Sequence, residues 1–166
     1  SMGLLGMVRN LQGGNVNALA SNHIAVTATM SSATWNTAAS HEVFTVTGTV
    51  RMWLWVLCTD TLTDAADAAD IQFGVAGATD AFIAATAAAG KGGAGLAAGE
   101  GWCDNSPAET YGNTGTLVLD KIVSGGLDVG YEITGAALTG GVLEFHCVWV
   151  PLSSDGLVEA GAGGTL

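Results

Sequence analysis

At 166 residues the chain has room for one domain with a core of its own, since a domain of this size buries about 70% of its unfolded surface. Four Lys and Arg against fifteen Asp and Glu leave a net charge of -11, which disfavours nucleic acid as a partner because phosphate contacts need clustered cations. Charged residues are 11% of the chain against roughly 25% in ordinary globular proteins, so the surface must be built of Thr, Ser, Asn, Gly and Ala, and suits a protein largely covered by neighbours.

No apolar run reaches the length of about 18 residues that reads as a membrane span, and the longest candidate, residues 50–58, carries Arg51. Residues 3–11 lack the basic region and cleavage site of a secretory signal, so export by that route is not expected. Cys58, Cys103 and Cys147 are odd in number and show no C-x-x-C spacing; free thiols in a reducing cytoplasm are expected.

Residues 1–20 combine a small apolar patch (Leu4, Leu5, Met7, Val8, Leu11) with the breaker Gly13-Gly14-Asn15, and are expected as an N-terminal arm. The body is expected over 21–152. Its first strand, 23–30, places Ile24, Val26, Ala28 and Met30 on one face. The clearest signal follows at 43–59, where Phe44, Val46, Gly48, Val50, Met52, Leu54, Val56 and Cys58 share a face by period two. Across from them, Thr45, Thr47, Thr49 and Arg51 read as solvated, but Trp53, Trp55 and Leu57 do not. The run far exceeds the usual strand of about five or six residues, and a bend near Gly48 would let it serve two sheets.

The acidic connector 60–70 (DTLTDAADAAD) is compatible with a helical turn, 71–76 with a strand, and 81–87 with either strand or short helix. Residues 88–100 (AAGKGGAGLAAGE) read as a flexible loop. Further strands are predicted at 116–123, 129–134 and 142–150, with Ser124-Gly125-Gly126 and Thr139-Gly140-Gly141 as hairpin punctuation. In the last strand Leu143, Phe145, Cys147 and Trp149 face one way, and Val142, Glu144, His146 and Val148 the other. Residues 153–166 show no packing pattern and are expected as a flexible tail. The whole predicts an all-β fold, an antiparallel β-sandwich of jelly-roll-like kind.

Catalytic chemistry is thinly represented. His23, His41 and His146 are isolated in sequence and read as strand or interface histidines. Asp60, Asp64, Asp67 and Asp70 depart from the calcium-loop pattern and read as a solvated connector. Glu100, Asp104 and Glu109 bracket Trp102, which makes 100–104 a possible ligand loop with a ring for a sugar to stack on. The glycine run 90–95 lacks the phosphate-loop pattern. No catalytic set, metal site or cofactor is predicted. Trp53, Trp55 and Leu57 are the expected oligomer interface, because contiguous exposed apolar groups mark contact sites.

The strings HEVFTVTGTVRMWLWVLCT (41–59), IQFGVAGATDAFIAAT (71–86), AGEGWCDNSPAE (98–109) and GGVLEFHCVWVPLSSDGLV (140–158) resemble small structural proteins of tailed bacteriophages and prophages. The resemblance implies a virion protein made in the bacterial host cytoplasm, either a capsid decoration or cement protein or a head-fibre or tail component. It also implies self-association, commonly as a trimer. No site residues carry over. On this reading the arm, through Leu4, Leu5, Met7 and Val8, would touch the major capsid protein or another virion protein. The alternative is a host-recognition or carbohydrate-binding module on a tail or fibre, using Trp102 and the 88–100 loop. Neither reading calls for nucleic acid or membrane.

Overall fold

The computed structural model describes residues 22–89, 95–106, 109–110 and 118–166. The arm with Leu4, Leu5, Met7 and Val8 lies outside the described residues. Two antiparallel sheets pack face to face as a sandwich. One contains β1 (His23–Thr29), β3 (Val50–Asp64), β6 (Glu100–Gly101), β7 (Glu109–Thr110), β8 (Leu119–Val123) and β10 (Leu138–Pro151). The other contains β2 (Ser40–Thr47), β4 (Asp70–Val75), β5 (Ala78–Ala87), β9 (Val129–Thr134) and β11 (Leu157–Ala160). The main run of the first sheet is β1-β10-β3-β8 and of the second β2-β9-β4-β5, so the chain crosses between sheets repeatedly in a jelly-roll-like interleaving.

Period-two alternation explains why these segments are strands. Val50, Met52, Leu54, Val56 and Cys58 of β3, and Leu143, Phe145 and Cys147 of β10, are buried on the inner face. They meet Phe44, Val46, Ile71, Phe73, Tyr131 and Ile133 of the opposite sheet. At the centre Phe145 stacks on Tyr131 at 5.4 Å and packs against Phe73 at 5.4 Å, and Trp102 closes on Phe73 at 6.0 Å.

The long run 43–59 is two strands in two sheets, broken at Gly48. Its φ of +63° is a left-handed conformation, and a Cβ there would lie 2.5 Å from Ser153 Oγ. Thr49 then receives the returning chain, its carbonyl accepting from the amides of Leu152 and Ser153.

Several expectations are corrected. Residues 60–64 are not a helical connector; they complete β3 against the start of β10. The turn comes later, where the Asp64 carboxylate accepts from the amides of Asp67, Ala68 and Ala69. The ambiguous segment 81–87 is strand, within β5. Ser124-Gly125-Gly126 is not a hairpin turn, because β8 and β9 belong to different sheets. Thr139-Gly140-Gly141 lies inside β10, where the register slips against β3. Residues 153–166, expected as a flexible tail, instead supply β11, which pairs with β2, and Val158 is buried. The chain continues along β2, with Gly161 and Gly163 donating to Val43 and Glu42 and Gly164 accepting from Glu42.

Candidate interaction face

The outer face of the six-stranded sheet carries the residues that do not fit a solvated exterior. Register brings them into rows across the strands. Ala25 of β1 lies opposite His146 of β10, which lies opposite Trp55 of β3. In the next row are His23, Val148, Trp53 and Asp120, followed by Val150, Arg51 and Ile122. On the other side Glu144 is opposite Leu57. Trp53, Trp55, Leu57, Val148 and Val150 are half-buried, and Ile122 is 67% exposed.

Both indoles have partners within the chain. The Arg51 guanidinium sits 5.0 Å from the Trp53 ring centroid and forks onto Asp120, at 2.9 Å to Oδ1 and 2.5 Å to Oδ2. Hydrogen bonding from Arg51 first, and its charge and the Trp53 side chain further, outweigh desolvation and hold the Asp120 carboxyl below its usual range. The same pairing raises the Arg51 guanidinium. Trp55 lies parallel to both His23 and His146, with centroids 5.7 and 5.3 Å away. The result is a flat strip of aromatic and aliphatic surface with an ion pair at one end. Among the described residues no pocket is found.

The other candidate residues are placed elsewhere. Trp102 is fully buried; its indole N–H donates to Thr86 Oγ1 at 3.0 Å and its amide to the Val56 carbonyl. A ring so placed offers no face to a sugar, and the expected ligand loop is corrected in that respect. Glu100 Oε2 accepts from the Ala97 amide and Asp104 Oδ1 from the Ser106 amide, so both carboxylates hold local turns. His41 is buried in the second sheet, its Nε2 2.9 Å from the Thr37 carbonyl oxygen and its ring 5.1 Å from that of Tyr131. Among the described residues no group of three or more His, Cys, Asp or Glu converges on a metal position. The sequence reading missed that His23, His146, Val148 and Ile122 join Trp53 and Trp55. The alternation of β10 already put His146 and Val148 on one face, but the cross-strand register that delivers them beside β3 is written in no local pattern.

The chain has no match. Comparison with protein-family models, with curated proteins and with solved structures finds none. The functional reading therefore rests on this face, on the charge-poor composition and on the resemblance given above.

Proposed function

We propose that this chain is a non-enzymatic virion structural protein of a tailed bacteriophage, a capsid decoration or cement protein that associates with itself as a trimer. The observation that carries the reading is the strip of Trp53, Trp55, Leu57, Val148, Val150 and Ile122 on one outer sheet face, in a chain with only 11% charged residues. Covering such a strip with a second copy removes apolar and aromatic surface from water, and buried aromatic anchors of this kind dominate interface energetics. The trimeric state and the virion setting come from the resemblance to phage structural proteins. The major capsid protein is the second partner in this reading, with assembly in the bacterial host cytoplasm.

Binding to purified parent capsids tests the role. A cement protein co-sediments with capsids and does not attach to host cells; attachment to cells or to a sugar array without capsid binding would favour the fibre-type module. That alternative draws no support from Trp102, because its indole is enclosed in the core.

A further inference from the structure

His23 Nε2 and His146 Nδ1 are 3.2 Å apart across β1 and β10. The ring planes differ by 5° with centroids 5.5 Å apart, so the imidazoles meet edge to edge around one shared N–H position. The other nitrogen of His146, Nε2, is buried without a hydrogen-bond partner among the described residues, and it lies 3.5 Å from Glu144 Oε2. One neutral arrangement serves both contacts. His23 Nε2–H donates to His146 Nδ1, and His146 carries its own proton on Nε2, towards the Glu144 carboxylate.

We propose that Glu144, His146 and His23 form a proton-binding relay that makes association through this face sensitive to pH; the inference rests on the self-association reading above. A first added proton leaves the His–His hydrogen bond intact, and Glu144 offsets its charge. A second sets N–H against N–H across the 3.2 Å contact. The hydrogen bond is lost, and uncompensated charge appears on a surface that a second copy must desolvate. The groups facing the pair are His23 from β1, Glu144 and His146 from β10, and the uncharged Trp55 from β3. Further along the face Arg51 and Asp120 are engaged with each other. Added protons also lower the overall negative charge, but that repulsion is screened beyond about 8 Å at physiological salt, so the local charge at the contact decides and acid weakens it.

Light scattering at about pH 7.5 and about pH 5.5, at fixed salt, reads the effect across the range where imidazoles exchange protons. The association constant of the natural protein is expected to fall roughly tenfold on acidification, and that of His23→Asn to fall less than about twofold. An unchanged constant in the natural protein, or an equal fall in His23→Asn, overturns the relay. Absence of association at both pH values overturns the self-association reading instead, and the relay is then judged on the monomer. There, NMR of the folded protein follows the ring protons of both imidazoles. Coupled titrations, with that of His146 displaced by His23→Asn, support the relay, and independent titrations overturn it.

Discussion

Tyr131 shows how much one polar atom does in this core. Its ring stacks on Phe145, while its hydroxyl donates to the Trp35 carbonyl at 2.6 Å, and burial drives its ionisation far above the ordinary range. Tyr131→Phe removes that hydrogen bond and leaves the packing, so the expected loss is about 1–2 kcal/mol, read as a lower urea midpoint at unchanged slope. The buried thiols give a pH dependence. Burial pushes Cys58 from 9.0 up to about 11 and Cys147 up to about 12. The unfolded chain loses these protons first, so stability is full below about pH 9 and declines as the pH rises towards 11 and 12. Denaturant midpoints measured from about pH 8 to about pH 10.5 are expected to fall, and Cys147→Ala to lessen the fall; a flat profile would contradict the buried-thiol assignment.

At the scale of elements, the inward faces of β3 and β10 were legible, because period two records which side of a strand is covered. The neighbour of each strand was not legible. Gly125 and Gly126 have the positive φ of a tight turn, yet they lead from one sheet to the other instead of closing a hairpin. Val158 stands in a glycine-rich tail as its one buried hydrophobic residue, which leaves no period to detect. Trp102 misled for a related reason: flanked by acids and glycines it has the local look of a binding loop, and only the distant Thr86 and Phe73 reveal it as core. Two glycines test the backbone account. Gly141, at φ +108°, would place a Cβ 2.7 Å from Leu62 Cα, whereas Gly77, at φ +80°, has open space around it. Gly141→Ala is expected to cost about 2 kcal/mol or more and Gly77→Ala about 1 kcal/mol, measured by chemical denaturation. Removing residues 157–166 uncovers the β2 edge, and is expected to lower the melting temperature and promote aggregation.

For the whole molecule, the net charge of -11 opposes the association proposed through the aromatic strip. The Debye length shortens from about 30 Å at about 0.01 M to about 8 Å at about 0.15 M salt, so the repulsion is screened and association is expected to strengthen over that range. A contact that weakened with salt would instead be held by ion pairs between the copies.

The most direct test of self-association through the Trp53–Trp55 face is the mass in solution by light scattering at micromolar concentration. The natural protein is expected as a trimer, and a chain with Trp53→Ser and Trp55→Ser as a monomer whose circular dichroism remains that of the folded sandwich. A natural protein that stays monomeric, or a double variant that stays trimeric, would contradict it.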